Sequence, residues 1–365
     1  MKVTVGPAQY IRNLDLLNEA GTYIKNFGKS AALIGGHTSL GIVEDSIRKS
    51  LSLVGASLLP SIWYGGESSE TNINRLAEQL KSQNIDVLIG TGGGKAIDTV
   101  KAVAYKLNKP LVVIPTIAAT CAAATPISIL YSDEGEFIGI GRESKAPELV
   151  LVDSTIILKA PVRFLIAGIG DTLAKWFETR ATIQKAEPNA LNQTAIAIAA
   201  QVYKTLLQIG HEAIQSVESQ SLTKAFEDVV DAIILVSGSV SGYGGDDCRT
   251  AGAHAIYSGL TIFPECHQTY HGEIVAFGIL AQLCLESKTE ELTDLIQYYK
   301  EIGLPFTLEQ MGIKELTQQQ WKKLGEITVT IEDMANMPFE VTPEMVIEAV
   351  QQADEIGKES LSVPL

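Results

Sequence analysis

The pattern of hydrophobic residues changes once along the chain, near residue 160. Before that point, short apolar runs alternate with segments of helical spacing such as 70–83 and 94–107. The runs that read as strands are AALIGG (31–36), SIWY (61–64), DVLIG (86–90), LVVIP (111–115) and LVLVD (149–153). Alternation of helices with continuously apolar strands predicts a parallel sheet covered on both faces.

Beyond residue 160 only helical periods are found, as in FLIAGIGDTLAKWFETRA, ALNQTAIAIAAQVYKTLLQ, LTKAFEDVVDAIILVSGSV, HGEIVAFGILAQLCLES and TPEMVIEAVQQADEIGK. At 365 residues the chain is long enough for two domains, each with its own core. We therefore predict a Rossmann-like α/β domain over residues 1–160 and an all-α domain over residues 161–365.

Charge and composition exclude several classes of partner. The net charge is −15 and the isoelectric point is near 4.8, so the chain repels a nucleic-acid backbone. The start, MKVTVGPAQYIRN, has no apolar core of the signal-peptide type, and no segment approaches the roughly 20 apolar residues that cross a bilayer. The four cysteines form no CxxC pair. We expect a cytoplasmic protein with no membrane or nucleic-acid partner.

A glycine turn follows the third of these strands, in IGTGGGKAIDTVK (89–101). Three glycines, Gly92 to Gly94, allow close approach of the backbone, and the helix after them presents free N–H groups and its positive end. The run is not a P-loop, because Ile89 and Ala96 stand where glycine and Ser/Thr are needed, and its spacing also fails GxGxxG. A tight turn is the alternative, but we favour a phosphate site.

Six motifs in order carry a resemblance over nearly the whole chain: GGGKAIDTVK, PTIAAT, YSDEGEF, GIGDTLAKWFE, AHAIYSGLT and HGEIVAFG. The chain resembles the glycerol dehydrogenase branch of the metal-dependent alcohol dehydrogenases often called iron-containing. Dehydroquinate synthase shares this two-domain architecture. The resemblance implies NAD or NADP on the α/β domain, a divalent metal on the helical domain, a small-molecule substrate and a homo-oligomer.

The same resemblance implies a set of nucleotide contacts. By match of motif they are Gly94 with its neighbour Gly93, Lys95, Asp98, Thr116, Ala119, Thr125, Ile127 and Tyr131. NAD-specific enzymes usually place an acid after the first strand to bind the ribose 2′-hydroxyl. Here that neighbourhood reads IGGHTSL, with His37 in its place, so NAD and NADP both remain open.

Three of the five histidines, His254, His267 and His271, lie within eighteen residues. Imidazoles with a carboxylate suit zinc or another borderline divalent ion. Spacing alone cannot join residue 171 to residue 254, and a lone histidine near a helix is usually packed or exposed. The resemblance implies Asp171, His254 and His271 as the metal ligands. His267 could simply lie at the surface, but we expect it near the site.

The iron-type branch carries a fourth ligand, a histidine one helical turn after the aspartate. Here that position is Lys175, and an ammonium does not bind metal. Three protein ligands with an open position are usual for catalytic zinc, which is therefore our expected metal.

The loop ATCAAATP (119–126) bears on the substrate. The glycerol dehydrogenases of this family carry an aspartate that touches the substrate hydroxyls, and here the aligned residue is Cys121. Its loss disfavours a polyol and favours an anionic substrate, because like charges repel strongly in a desolvated site. The loop resembles that of the hydroxycarboxylate dehydrogenase subgroup. Arg249 and Lys175 are candidate cations for a carboxylate, although they could simply pair with Asp246 or Asp247 and with Glu178, respectively.

The sequence therefore predicts a metal-dependent NAD(P) oxidoreductase that interconverts 2-hydroxy and 2-oxo acids. The predicted catalytic residues are Asp171, His254, His271, Cys121, Arg249 and Lys175. The alternative is a glycerol or short-diol dehydrogenase that forms dihydroxyacetone. A lyase of the dehydroquinate synthase type is disfavoured, because its first metal position is typically Glu and its site is richer in Lys and Arg. A binding protein without activity is disfavoured by the intact ligand set.

Overall fold

The structure, a computed structural model, describes residues 3–142 and 146–362, apart from the side chains of Arg142 and His267. The chain divides into two compact units, residues 1–161 with 219–222 and residues 162–218 with 223–365. Within the described ranges, no helix combines the length and the apolar character needed to cross a bilayer.

The first unit contains a seven-stranded sheet in which every recorded strand pair is parallel. Its strands are β1 (Gln9–Asn13), β2 (Ser30–Gly35), β3 (Ser57–Leu58), β4 (Ile62–Trp63), β5 (Val87–Gly92), β6 (Leu111–Pro115) and β9 (Leu149–Asp153). Two further strands, β7 (Ile127–Tyr131) and β8 (Phe137–Arg142), lie between β6 and β9 in the chain and are not part of this sheet. The order is β1-β9-β6-β5-β2-β3, and β4 also pairs with β2.

Helices connect strands of this sheet: α1 (Ala20–Ile24), α2 (His37–Leu53), α3 (Glu70–Lys81) and α4 (Gly94–Leu107). A further helix, α5 (Ser154–Leu158), follows β9. The central strands are apolar at most positions because both faces of the sheet are buried; Leu33, Ile89, Val112 and Leu151 have no exposed surface. The predicted α/β fold of the N-terminal part is confirmed.

The direction of strand addition reverses between β2 and β5. From β2 the chain adds β3 and β4 on one side, and after returning to β5 it adds β6 and β9 on the other. In parallel α/β sheets, ligands bind outside the carboxyl ends of the strands at such a reversal. Glycine turns follow both strands, at Gly35–Gly36 and Gly92–Gly94, so backbone can approach a ligand at this edge.

Several strands lie outside the predicted set. β7 and β8 form a separate antiparallel pair with an irregular register at Leu130/Tyr131. Glycines at 139 and 141 weaken the strand pattern of FIGIGR, and an isolated pair of this kind has no long apolar run. β1 is equally short and polar, QYIRN, and takes its place by pairing with β9.

The second unit is helical; past Asp153 the described residues contain no strand. Its helices are α6 (Val162–Thr182), α7 (Ala190–Glu218), α8 (Lys224–Asp231), α9 (Ser237–Gly244), α10 (Gly252–Leu260), α11 (His271–Leu285), α12 (Thr289–Ile302), α13 (Gln318–Thr328) and α14 (Pro343–Leu361). A π-helical stretch, Ala232–Val236, joins α8 to α9, so the predicted helix over 222–240 is continuous but changes period. The predicted all-α C-terminal part is confirmed.

Helix α11 forms the centre of this unit. It is buried from Gly272 to Cys284, which explains why its sequence is hydrophobic around the whole circumference instead of along one stripe. Helices α6, α10 and α14 pack against it. The metal-ligand candidates lie on three of these four helices.

Candidate functional site

Three predicted ligands converge inside the helical unit. Asp171 lies in α6, His254 in α10 and His271 at the start of α11. The Asp171 Oδ1 is 3.4 Å from Nε2 of His254 and 3.3 Å from Nε2 of His271. Asp171 is buried, whereas 39% of the His271 side chain is exposed, so the group is reached from the His271 side.

Small residues beside each ligand bring the three helices close together. A Cβ on Gly272, next to His271, would lie 1.8 Å from the carbonyl oxygen of Ala167 in α6. A Cβ on Gly278 would lie 2.3 Å from the carbonyl oxygen of Ala253, the neighbour of His254. Backbone contacts this close need glycine, because any side chain would force the helices apart. The glycines therefore set the distances between the ligands.

Glu178 orients His254 and is completely buried. One carboxylate oxygen lies 2.7 Å from Nδ1 of His254, and the other accepts the backbone N–H groups of Ala251 (2.7 Å) and His254 (2.9 Å). A carboxylate on the far nitrogen holds a proton there and leaves Nε2 as a free ligand atom. Glu178 follows Asp171 by seven residues on α6, two helical turns, so both carboxylates lie on the same face.

The arrangement fits a small divalent ion. Two imidazole nitrogens and one carboxylate oxygen form a donor set for zinc or a similar borderline metal. Bonds of about 2.0–2.1 Å at tetrahedral angles put neighbouring ligand atoms about 3.3 Å apart. The observed separations of 3.4 and 3.3 Å from Asp171 agree with that value.

Lys175 lies one turn after Asp171 on α6 and is half-buried. Its positive charge adds to the lowering of the Asp171 pKa and opposes, without cancelling, the rise in the His254 pKa. The carboxylate of Glu178, the partner suggested for Lys175, accepts the hydrogen bonds from α10 described above.

Charges at the site shift two pKa values in opposite directions. Burial acts most strongly on Asp171 and raises its pKa, but the bonds from His254 and His271 outweigh burial and hold that pKa well below its usual value. Burial lowers the pKa of His254, but the Glu178 and Asp171 carboxylates outweigh it and raise the pKa to about 10. Without metal at neutral pH, both ring nitrogens of His254 therefore carry a proton, and a metal ion must displace the one on Nε2.

This proton makes metal binding depend on pH. Below the raised pKa of about 10, protonated His254 competes with the ion, so affinity must fall as the pH falls. We expect Zn²⁺ affinity to rise about tenfold per unit from about pH 7 to about pH 9, with about one proton released per ion. Calorimetric titrations in two buffers of different ionisation enthalpy measure this release. Equal heats in both buffers, with no trend in affinity, would contradict the expected displacement.

Tyr257 is a neighbour of the metal centre that the sequence analysis does not single out. Its ring meets that of His271 edge-on, with centroids 4.3 Å apart. It follows His254 by three residues on α10, which places it on the same helix face, and this spacing is the signal that identifies it. The side chain of His267, expected near the site, lies outside the described part of the chain.

The predicted cofactor residues lie at the carboxyl edge of the parallel sheet or just beyond it. His37 begins α2 after β2, Gly93 and Gly94 follow β5, and Thr116 follows β6. Ala119 and Thr125 belong to the loop after β6, and Ile127 and Tyr131 begin and end β7. Because β6, β5 and β2 are neighbours, the structure brings the first four residues to the strand reversal.

The glycine turn has the geometry of a backbone cradle. Gly92 adopts φ +132°, a conformation that other residues rarely adopt. Gly93 caps α4 and accepts the N–H of Ile97, so the first N–H groups of the helix point out of the turn. Ser39 ties the turn to the end of β2 by donating to the carbonyls of Gly36 and Thr91.

Lys95 and His37 lie beside this turn, shortly after β5 and β2 respectively. The Lys95 ammonium lies 2.7 Å from Glu67 and 5.0 Å from the centre of the Tyr131 ring. His37 stacks on Trp63, with ring centroids 5.1 Å apart. Asp98 differs from the other predicted contacts, because its carboxylate is buried and bonded to Lys101 and to the N–H of Ile129.

The remaining predicted residues are placed as follows. Cys121 is a partly exposed free thiol that opens a short 3-10 turn in the loop after β6. The Arg249 guanidinium pairs with Asp246 at 3.3 Å, one of the alternatives stated above. Because 72% of the Asp246 side chain is exposed, this pair is weakly held.

Comparisons with known proteins agree with this geometry. Residues 7–154 match the iron-containing alcohol dehydrogenase family. A glycerol dehydrogenase from Pseudomonas putida is 38% identical over 361 residues, covering 97% of this chain and 98% of that protein. Hydroxycarboxylate dehydrogenase A from Escherichia coli K12 is 35% identical over 359 residues, covering 97% and 98%. A crystal structure of glycerol dehydrogenase from Schizosaccharomyces pombe has a TM-score of 0.91 at 31% identity, covering 98% of this chain and 92% of that one.

These similarities favour the glycerol dehydrogenases over the hydroxycarboxylate dehydrogenase subgroup that the sequence predicts. The Pseudomonas putida glycerol dehydrogenase is slightly more similar to this chain than the hydroxycarboxylate dehydrogenase, although the ATCAAATP loop suggests the reverse. Similarity over the whole chain therefore favours the wider branch over the narrower subgroup. The chain belongs to the glycerol dehydrogenase branch of the iron-containing alcohol dehydrogenase family, and it is a metal-dependent, NAD(P)-linked oxidoreductase that acts on a CH–OH group.

Proposed function

We propose that this chain interconverts glycerol, or a similarly short vicinal diol, with the corresponding hydroxyketone, using NAD or NADP. The observation that carries this proposal is 38% identity to a glycerol dehydrogenase along nearly the full length of both proteins. The convergence of Asp171, His254 and His271 supports it, because such a site can hold an ion that binds a hydroxyl oxygen.

The cofactor site in this proposal is the carboxyl edge of the sheet. Its contacts would be His37, Gly93, Gly94, Lys95, Thr116, Ala119, Thr125, Ile127 and Tyr131. The N–H groups at the start of α4 and the Lys95 ammonium suit a pyrophosphate. The position after β2 where NAD-specific enzymes usually carry an acid is His37 here. A 2′-phosphate would therefore meet no negative charge from that residue, and both NAD and NADP remain candidates.

The chemistry follows from the charges on the metal centre. Asp171, His254 and His271 would hold the ion, and zinc is our first choice because three protein ligands leave one position open. When bound, the ion supplies a Lewis acid that stabilises negative charge on the substrate oxygen. Glu178 holds a proton on Nδ1 of His254, so Nε2 is the atom that would bind the ion. The buried Asp171 supplies negative charge at the site. A bound nicotinamide would supply the hydride acceptor or donor, and the residues of the N-terminal unit named above would hold that cofactor.

A second candidate substrate is a 2-hydroxy or 2-oxo acid, and Cys121 is the observation that favours it. The aspartate that contacts hydroxyls in the related glycerol dehydrogenases is replaced here by cysteine. A carboxylate substrate would need a cation, and Arg249 and Lys175 would supply it. The pair between Arg249 and Asp246 is weak enough at the surface to be exchanged for a substrate carboxylate.

Changing Cys121→Asp separates the two substrates. An added carboxylate supplies a hydrogen-bond acceptor for hydroxyls and repels an acid, so kcat/KM for dihydroxyacetone relative to 2-oxobutyrate should rise about tenfold. Absorbance of NADH and NADPH measures both rates, and Cys121→Ser is the neutral control of similar size. An unchanged ratio in Cys121→Asp would mean that residue 121 does not contact the substrate.

The same assay of the zinc-loaded wild-type protein decides between the candidates. Faster turnover of dihydroxyacetone than of 2-oxobutyrate or 2-oxoglutarate supports the diol proposal. Faster turnover of the oxo acids supports the second candidate, and no turnover of any of them contradicts both. The ratio between NADH and NADPH reports the cofactor preference in the same experiment.

A cytoplasmic location and a homo-oligomeric assembly belong to the same proposal. The four cysteines are free thiols, three of them buried, which is typical of proteins in a reducing compartment. Light scattering of the purified protein measures its assembly, and cell fractionation measures its location.

A further inference from the structure

Lys101 is a buried lysine in the middle of α4, the helix that begins at the glycine turn. Only 3% of its surface is exposed, and its ammonium lies 2.8 Å from the Asp98 carboxylate, one turn earlier on the same helix. Lysine is almost never buried to this degree unless it is paired. One carboxylate leaves further ammonium protons to be satisfied by other acceptors.

Those acceptors are three backbone carbonyls of one loop segment, residues 121–127. The Lys101 ammonium shares its remaining protons among the carbonyls of Ala122 at 2.8 Å, Thr125 at 3.3 Å and Ile127. The segment has little regular structure beyond the 3-10 turn at Cys121–Ala123. Ordering such a backbone costs conformational entropy. Charge-assisted hydrogen bonds from a buried ammonium to several carbonyls can offset this cost.

Asp98 extends the same connection beyond the segment. Its second carboxylate oxygen accepts the N–H of Ile129 at 3.1 Å, and its backbone carbonyl accepts the hydroxyl of Ser128 at 2.9 Å. The segment 121–127 is therefore bound to α4 by Lys101, and β7, which begins at the last residue of the segment, is bound by Asp98.

We infer that Lys101 and Asp98 form a positioning pair that fixes the segment 121–127 against α4. The pair thereby holds the segment, which begins with Cys121, in one arrangement relative to the helix that starts at the glycine turn. The inference rests on the proposed function, since Thr125 and Ile127 are cofactor contacts only within that proposal. Within this inference both charges act on the segment and on β7: Asp98 binds Lys101 and the N–H of Ile129, and these partners account for the burial of its carboxylate.

Cys121 provides a built-in reporter for this inference. It is partly exposed, while Cys248, Cys266 and Cys284 are buried, and burial raises the pKa of each of these three thiols to about 12. A thiol reagent should therefore modify Cys121 first. In Lys101→Met we expect Cys121 to react about tenfold faster while the other three cysteines stay protected, because only the segment opens. A variant that is merely less stable overall would expose all four.

Lys101→Met leaves the Asp98 carboxylate buried without its cation and can fail to fold. The double variant Asp98→Asn/Lys101→Met removes both charges and should show the same selective labelling of Cys121. Lys106→Met is the matched control, since Lys106 lies on the same helix but is exposed and bonded to the side chain of Asn74. Its labelling should equal that of the wild type.

NADH affinity completes the test. Titration of NADH fluorescence should give a Kd about tenfold higher in the double variant than in the wild type, with one metal per chain retained in both. Unchanged labelling of Cys121 overturns the inference, and so does faster labelling with unchanged NADH affinity. If the wild type binds neither NADH nor NADPH, the proposed function fails, whereas labelling still decides whether Lys101 holds the segment.

Discussion

Replacing Asp171→Asn should lower kcat/KM by about three orders of magnitude and leave the protein without tightly bound metal. The substitution keeps the volume of the side chain but removes the negative charge that lies 3.4 and 3.3 Å from the two imidazole nitrogens. Stabilisation of the substrate oxygen by an ion contributes several kcal/mol, and each 1.36 kcal/mol corresponds to about tenfold in rate. Elemental analysis and the reduced-cofactor assay measure both losses.

Asp354→Asn is the matched control for this experiment. Asp354 is also buried in the helical unit, where it accepts the N–H of Leu308 at 2.7 Å and pairs with Lys358 at 2.6 Å. It should cost some stability and leave metal content and kcat/KM unchanged. Full activity and metal content in Asp171→Asn would remove Asp171 from the catalytic site.

Glu178→Gln should weaken metal binding by about 10- to 100-fold with the fold retained. The glutamine oxygen can still accept the backbone N–H groups of Ala251 and His254. Its amide group, however, then donates to Nδ1 of His254, which forces the proton onto Nε2, the atom that faces Asp171. The histidine would be held in the tautomer that cannot bind the ion.

Competition with a chromogenic chelator measures this affinity. Glu286→Gln is the control, because Glu286 is a glutamate of the same unit whose side chain is only 5% exposed and which pairs with Arg180 and Lys288 instead of a predicted ligand. We expect its affinity for Zn²⁺ to match that of the wild type. Equal affinity in Glu178→Gln would show that Glu178 only stabilises the fold.

The sequence pattern predicted secondary structure best where residues within or next to an element determine where it starts and ends. The helix predicted over 94–107 is observed at Gly94–Leu107, because a glycine turn fixes its start and the left-handed Asn108 its end. The pair β7–β8 was missed, since its strands gain stability from pairing with each other and not from long apolar runs. The π-helical stretch at Ala232–Val236 was also missed, because its residues continue a helical pattern.

The metal centre could be predicted only in part from the residues themselves. Its ligands come from three helices, and no spacing rule joins residue 171 to residue 254. A signal that was available is the small residue beside each ligand, such as Gly272 after His271, which marks backbone contact between helices. Glu178 could also have been found, because it lies two turns after Asp171 on the same face of α6.

Removal and return of the metal tests the central claim most directly. A chelator is used to strip the protein, and the rate of dihydroxyacetone and 2-oxobutyrate reduction by NADH and NADPH is measured before and after stepwise addition of Zn²⁺. We predict that the stripped protein is inactive and that activity with at least one substrate returns in proportion to zinc, up to one ion per chain. Full activity in protein shown by elemental analysis to be free of metal would contradict the assignment of Asp171, His254 and His271 as a catalytic metal site.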